Sequence, residues 1–362
     1  MTVAFPSRRF PARKLLREAV RPISDRPAWN RLLQGLHPLW ALDQARARIV
    51  GRVEESDDTF SLWLRPNRHW KGHRPGQHAA LGVEIDGVQR QRVFSLSVAD
   101  KARKTLRVTI RRQPGQGVTD WLYRHAGVGQ VVDLSPAGGE FVLPDPVPER
   151  LLMIAAGSGI TPMMAMLYDL AERRFSGDIV LLQLCRKTDQ RLFDDELAAL
   201  ATRLPGLKTI IHASAVDGRL AAASLPRIVP DLADRHSLLC GPTAFMRDVE
   251  AVWANLGCLG RLQREHFAPP RPPFAASTQR RILALESEQA FTQNSNLTLL
   301  ESAEAAGLTP KFGCRAGLCR TCLCKKQSGR VRNLVTGLVS TQPDEWVQLC
   351  VSVAESDLEL SL

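Results

Sequence analysis

Four of the eight cysteines, Cys314, Cys319, Cys322 and Cys324, fall within eleven residues of one another. In a reducing compartment such crowding reads as metal ligation rather than as disulfides. Cys314-x4-Cys319-x2-Cys322 is joined by Cys350 after 27 intervening residues. Three thiolates on one tight loop can wrap an iron pair, and a distant fourth closes the site from another strand. Gly313, Ala316, Gly317 and Thr321 keep that loop small enough for its amides to reach the cluster sulfurs. Zinc is the competing metal. Structural zinc sites usually pair two short Cys-x(2–4)-Cys hooks, and only one Cys-x2-Cys stands here apart from its overlap with Cys324. The spacing therefore favours a 2Fe–2S cluster on Cys314, Cys319, Cys322 and Cys350. Cys324 is a fifth candidate, which a strand-like continuation after Cys322 would turn into the interior. Cys258 reads as an incidental buried thiol.

Other segments carry the residues of anion and ring binding. Gly157-Ser-Gly159-Ile-Thr161-Pro162 follows an apolar run and opens a helical pattern. Its glycines let the backbone approach a pyrophosphate, and Pro162 suits the first helical turn. Gly117-Val118-Thr119 likewise puts a glycine before a helical pattern, DWLYRH. In Arg92-Val-Phe94-Ser95 a guanidinium can neutralise a pyrophosphate, a ring can stack and a hydroxyl can donate a hydrogen bond. Taken alone, that tetrapeptide is also an ordinary alternating strand.

The elements that must hold these residues divide the chain. Residues 1–44 alternate basic residues with leucines and tryptophans, amphipathic helical material broken at Pro22, Pro27 and Pro38. Residues 45–145 are short β-rich runs separated by glycine and proline, the pattern of a small antiparallel barrel. Over 146–266, strand and helix patterns alternate, which predicts a parallel α/β domain. FAPPRPPFAAS, 267–277, reads as a proline-rich linker, and 278–362 form a third unit around the cysteines.

With those residues in view, 278–362 resemble the plant-type ferredoxin domain fused to bacterial oxygenase and desaturase reductases, through NLTLLESAEAAG, FGCRAGLCRTC and LCVSVAESDLEL. The family usually carries a small residue where Arg320 stands. Arg92-Val-Phe94-Ser95 resembles the Arg-x-Tyr-Ser/Thr flavin motif of the ferredoxin–NADP reductase superfamily, with Phe94 lacking the usual hydroxyl. The resemblance implies an α+β (β-grasp) third domain and a flavin against Thr109 and Ile110, with Gly117-Val118-Thr119 as its second phosphate contact. It also implies a nicotinamide site at Gly157, Gly159, Thr161 and Pro162 with Cys240-Gly241-Pro242, where Cys240 borders the ring. Glu265 and Phe267 match the acidic residue and the aromatic that the family places beside the flavin. Ser95, Cys240 and Glu265 are the expected catalytic residues. FAD is expected rather than FMN, although the phthalate-type reductases share this order and use FMN. Arg186, Lys187 and Arg191 follow the strand DIVLLQLC, where the family meets the adenosine ribose, and suit a 2′-phosphate. NADPH is therefore expected over NADH, with Asp189 as the contrary sign.

Charge and composition limit the partners. The chain of 362 residues carries a net charge of +11, is 44% hydrophobic and has no apolar run long enough to cross a membrane as a helix. Residues 1–50 hold ten Lys/Arg against Glu18, Asp25 and Asp43. No nucleic-acid module accompanies them, so peripheral contact with an anionic membrane, or docking to a partner, is the expected use. No secretory signal is apparent, and a cytoplasmic location is expected, with peripheral contact at the inner face of the membrane through 1–44. The extension, with RPNRHWKGHRPGQHAALGVEIDG at 65–87, is similar to reductases that serve membrane fatty-acyl desaturases. A soluble aromatic-ring or steroid oxygenase is the second candidate acceptor. A redox-sensing or zinc-stabilised binding module is the reading of another class, and a colourless protein would favour it. Lys311, Arg315, Arg320, Lys325, Lys326, Arg330 and Arg332 surround the cluster loop, which predicts an acceptor with an acidic docking surface.

Overall fold

The computed structural model describes residues 26–100, 104–115, 117–267, 279–293, 297–313, 315, 317 and 320–362. Residues 1–25 and 268–278, which take in all of the expected linker but Phe267, lie outside the described residues, as do Cys314, Ala316 and Cys319.

Helix α1 (Arg26–Leu36) leads into a barrel of β1 (Arg46–Ser56), β2 (Thr59–Pro66), β3 (His78–Ile85), β4 (Val88–Asp100), β5 (Thr105–Arg111) and β6 (Val131–Leu134), with α2 (Val118–His125) between the last two strands. Pro27 does not break α1. It occupies the first turn, where the missing amide hydrogen has no intrahelical acceptor. Every barrel pairing is antiparallel, and the closed order is β1-β2-β5-β4-β3-β6. Period-two alternation sends Phe60, Leu62, Leu64, Leu96, Leu106, Val108 and Ile110 into the barrel core. Ser61, Ser97, Arg107 and Thr109 lie on the opposite, outer face, although all four are buried.

The second unit is a parallel sheet of β7 (Arg150–Ala156), β8 (Asp178–Cys185), β9 (Leu207–Ala213), β10 (His236–Cys240) and β11 (Leu262–Glu265), in the order β11-β10-β7-β8-β9. Helices α3 (Ile160–Glu172), α4 (Asp194–Arg203) and α5 (Thr243–Asn255) cover it. β7 and β8 are almost continuously apolar because helices and loops seal both faces.

The third unit has β12 (Arg280–Ala284), β13 (Gln289–Gln293), α6 (Leu299–Ala305), β14 (Leu323–Ser328), β15 (Val331–Asn333), β16 (Val339–Ser340), β17 (Glu345–Gln348), β18 (Ser352–Ala354) and β19 (Leu358–Leu360). A mixed five-stranded sheet, β13-β12-β19-β14-β17, and a small three-stranded one, β16-β15-β18, pack with α6 around Ile282, Leu299, Val351 and Leu358. Thr298 and Glu301 form a reciprocal capping box that fixes the start of α6. The architecture is thus an antiparallel barrel, a parallel α/β sheet and an α+β cysteine domain, as the sequence pattern predicts.

Side chains tie the units together. Arg107 of β5 forms a forked pair with Glu196 of α4, at 2.5 and 3.0 Å, and its guanidinium lies 4.5 Å from the Phe193 ring centroid. Tyr168 of α3 donates to the same carboxylate at 2.5 Å. Between the barrel and the cysteine domain, Gln91 Nε2 donates to Thr321 Oγ1 at 3.0 Å.

Candidate functional site

One cavity of about 1340 Å³ runs through all three units. Its barrel wall includes His78, Gln91, Arg92, Phe94, Ser95 and Thr109, together with Gly117, Val118 and Thr119 at the start of α2. The parallel sheet adds Gly157, Thr161, Arg186, Gly241, Pro242, Glu265 and Phe267, all at the carboxyl ends of strands or just beyond them. That edge is where open parallel sheets bind ligands. The cysteine domain closes the cavity with Phe312, Gly313, Arg315 and Cys350.

The barrel end fits a flavin phosphate chain. Arg92 points into the cavity with Gln113 Oε1 at 2.9 Å as its acceptor, and burial lowers its guanidinium from the ordinary arginine value. No carboxylate pairs with it among the described residues, so this half-buried cation suits an anion. Gly117 caps α2, and a Cβ built there meets nothing within 4 Å, leaving the helix amides open. Phe94 is buried at the cavity edge. Thr109 lines the cavity, but Ile110 does not. Strand alternation turns Ile110 into the barrel core, fully buried, which corrects its assignment to the flavin.

Ser95 donates to Glu265 Oε2 at 3.4 Å, and Glu265 Oε1 lies 3.0 Å from His78 Nδ1. The barrel and the parallel sheet therefore meet in a buried hydroxyl–carboxylate–imidazole cluster. Burial raises the Glu265 carboxyl above the usual carboxylate range, with the His78 and Ser95 hydrogen bonds acting against it. Nothing in the local sequence marks His78 as its partner. The two residues are 187 positions apart and meet only because the domains dock.

Cys240 is displaced from its expected place. It is fully buried in the sheet core beside Glu265, to which it is in register, and burial pushes its thiol well up. It does not form part of the cavity wall, whereas Gly241 and Pro242 do. The two glycines of the phosphate turn also divide their work. Gly157 has φ +57 and open space where a Cβ would stand, so its backbone can face a ligand. Gly159 faces inward, and a Cβ there would lie 2.1 Å from the Cys240 carbonyl oxygen. Its reason is close packing of the turn on β10, not approach to pyrophosphate. Thr161 donates to Ser158 O at 2.9 Å and holds the turn. Pro162 is buried in the first turn of α3.

At the far end of the cavity the cations sort differently from the linear pattern. Arg186 lines the wall, but Lys187 is exposed and away from it. Arg191 is held by Asp194, with Nε at 2.9 Å, and does not face the cavity. Arg219, beyond β9, lines the wall in its place with His212 and Ser214. No ion pair is recorded for Arg186 or Arg219 among the described residues.

Of the four expected cluster ligands, Cys322 and Cys350 are described and buried. Gly317 N donates to Cys350 Sγ at 3.3 Å, and Gln348 Nε2 donates to Gly317 O at 2.7 Å, so the loop amides do turn toward sulfur. Gly317 has φ +75, and a Cβ there would meet Val351 at 3.0 Å. These donors fit a thiolate-held 2Fe–2S group. Cys324 turns into the core of β14, where its thiol donates to Ser361 O at 3.4 Å. Burial pushes it up to about 12, the state of a thiol that keeps its proton.

The cations near the cluster are largely neutralised. Arg315 pairs with Glu304, Lys325 with Asp344, and both Arg330 and Arg332 with Glu355. Lys326 is wholly buried, donating to Gly329 O. Lys311 and Arg320 have no recorded ion pair among the described residues. The seven-residue basic surface read from the sequence thus contracts to these two, because acids distant in sequence return to the loop. Arg320 has φ +58, in the left-handed region that favours glycine.

Comparisons with known proteins agree with this geometry. Residues 153–251 match the oxidoreductase NAD-binding domain, and 283–355 match the 2Fe-2S iron-sulfur cluster binding domain. The chain is 33% identical over 332 residues to an NADPH oxidoreductase of Mycobacterium tuberculosis, covering 90% of this chain and 86% of that protein. It is 31% identical to the ferredoxin reductase component of a 3-ketosteroid-9-alpha-monooxygenase from the same species, covering 87% and 90%. Among solved structures, phthalate dioxygenase reductase matches with a TM-score of 0.58 at 22% identity, covering 88% of this chain and 97% of that one. The FAD/NAD binding domain of a nitric oxide dioxygenase from Vibrio cholerae matches with a TM-score of 0.55 at 28% identity, covering 63% and 100%.

Proposed function

The chain belongs to the fused flavin, nicotinamide and 2Fe–2S branch of the ferredoxin–NADP reductase superfamily, and from that premise we propose that it takes electrons from NADPH through FAD and the cluster to a membrane fatty-acyl desaturase. Its class is that of an NAD(P)H-dependent flavin and iron–sulfur oxidoreductase. The observation that carries the proposal is the single cavity joining Arg92 and Ser95, Gly157 and Gly241, and Cys350. When bound, the flavin takes a hydride's two electrons and the cluster passes them on singly, which is the cofactors' own chemistry.

The protein's part is to bind, orient and exclude water. Arg92 and the α2 amides would hold the flavin phosphates, and Phe94 would stack on the ring system. Gly157 and Gly241 leave room for the nicotinamide nucleotide, while Glu265 and Ser95 hold a proton position where barrel and sheet meet. Cys322 and Cys350, with Cys314 and Cys319 outside the described residues, hold the cluster. Cys350 at the cavity wall gives the electrons a short way out.

Two features support a membrane-bound acceptor. Residues 1–44 are basic, and α1 leaves Trp29, Leu32 and Leu36 on one face, at 41%, 57% and 71% exposure. That apolar face beside basic residues suits the surface of an anionic membrane. The soluble oxygenase reading keeps its own support, the named role of the steroid monooxygenase component in Mycobacterium tuberculosis. In the test, holoprotein and NADPH are given either a diiron acyl desaturase in anionic vesicles or a soluble Rieske oxygenase. Turnover should be supported by the desaturase and weakened when 1–44 are removed. Preference for the soluble enzyme would overturn the reading. An acidic docking surface on the acceptor is part of the proposal and rests on Lys311 and Arg320. Arg320→Glu should slow acceptor reduction about tenfold at low salt, and less at physiological salt, where the Debye length is about 8 Å. Ferricyanide turnover should not change.

A further inference from the structure

We propose that Thr109, Ser61 and Glu55 form an outward-conducting proton relay along the buried outer face of the barrel, which drains the site of the proton left behind by each hydride. This inference rests on the electron-transfer reading above. The balance requires such an outlet: NADPH + 2 acceptor(ox) → NADP⁺ + 2 acceptor(red) + H⁺. One proton per nicotinamide must leave a cavity whose acceptors take electrons alone.

The three residues form a continuous chain. Thr109 lines the cavity and is 5% exposed, and its Oγ1 lies 2.8 Å from Ser61 Oγ on the paired strand. Ser61 is fully buried and donates to Glu55 Oε1 at 2.5 Å. Glu55, on β1, is half-buried and stands outside the cavity, at the far end of the chain.

Counting protons gives the chain a direction. Ser61 has one hydroxyl hydrogen, and an ionised Glu55 can only accept, so that hydrogen points outward. Ser61 Oγ must then accept from Thr109 across the 2.8 Å contact. Thr109 Oγ1 is left with a lone pair for a proton arriving from the cavity. That arrival moves the Thr109 hydrogen to Ser61 and the Ser61 hydrogen to Glu55, without any heavy atom moving.

The surroundings favour a proton-accepting carboxylate at the end. Burial raises the Glu55 carboxyl, offset in part by the Ser61 hydrogen bond and by Arg107, and Glu196 adds to the rise. Arg107 is committed to Glu196, and Tyr168 also donates to Glu196. Ser97 accepts from Arg107 Nε at 3.0 Å and sits 3.3 Å from Thr109, holding that hydroxyl in line. A purely structural cross-strand pair of hydroxyls would need no carboxylate beneath it.

The experiment separates proton release from electron transfer. Holoprotein reduced with NADPH under anaerobic conditions is mixed with ferricyanide in weak buffer containing a pH indicator. The return of flavin colour and the appearance of the proton are followed together. In the parent protein the two should coincide. In Ser61→Ala and Glu55→Gln, proton appearance should lag by about 10²-fold, the lower range for loss of a positioned proton acceptor. Bleaching by NADPH should be unaffected, and Ser61→Thr, which keeps a hydroxyl, should restore coincidence. Coincident release in both variants overturns the relay, and so does an equal lag in Ser61→Thr. A lag in His78→Gln with none in Ser61→Ala also overturns it, moving the outlet to Glu265. Failure of NADPH to bleach the parent protein would instead sink the electron-transfer reading itself.

Discussion

Cys350→Ser and Cys322→Ser should each lose the visible absorption and the iron of the cluster, and with them all measurable reduction of a one-electron protein acceptor. Ferricyanide reduction should persist, because the flavin end of the cavity is built from Arg92, Ser95 and the α2 turn, none of which touches these sulfurs. The same loss is expected for Cys314→Ser and Cys319→Ser. Cys324→Ser should keep its iron. Its side chain lies on the buried face of β14 and donates to a backbone carbonyl, an arrangement that a serine hydroxyl can repeat. Iron content and acceptor reduction, measured on the purified variants, decide the matter. Retained iron in Cys350→Ser with loss in Cys324→Ser would overturn the ligand set.

The contrast between these two cysteines shows what the chain made legible in advance. The proposed cluster ligands are a local pattern, since three of the four cysteines share a short stretch of sequence. Gly117 and Arg92 also stand in short local motifs, and both line the cavity. Readings failed where the deciding contact was remote. Whether Ile110 or Thr109 meets the cavity depends on barrel register, and Cys240 is hidden by the sheet that Glu265 completes. Gly159 looks like a phosphate glycine, yet its neighbour is the carbonyl of a residue 81 positions onward. The basic loop lost its charge to Glu304, Asp344 and Glu355, which no window around the cysteines would have paired with it. Thr109, Ser61 and Glu55 lie on three strands, and the pairing of β5 with β2 brings Thr109 to the other two.

Arg219 is the clearest case of a remote contribution, and it carries the second large expected effect. Arg186 and Arg219 reach the same end of the cavity from different loops, 33 positions apart in sequence. Neither has a recorded carboxylate partner among the described residues, whereas Arg191 is occupied by Asp194. Two unneutralised guanidinium groups beside the Ser214 hydroxyl suit a doubly charged phosphate better than a neutral ribose hydroxyl. A hydrogen bond to a charged group contributes about 1.5–3 kcal/mol, or roughly ten- to hundredfold in binding. Arg186→Ala and Arg219→Ala should therefore each lower kcat/KM for NADPH by about that factor, and the double variant by about 10²–10⁴-fold where the two act independently. NADH should be used nearly as well by the variants as by the parent, since its free 2′-hydroxyl gains little from either cation. Arg191→Ala should change neither ratio, because its side chain is already spent on the start of α4. Steady-state kinetics with both nucleotides checks this. Equal efficiency with NADH and NADPH in the parent, unchanged in both alanine variants, would refute the 2′-phosphate assignment.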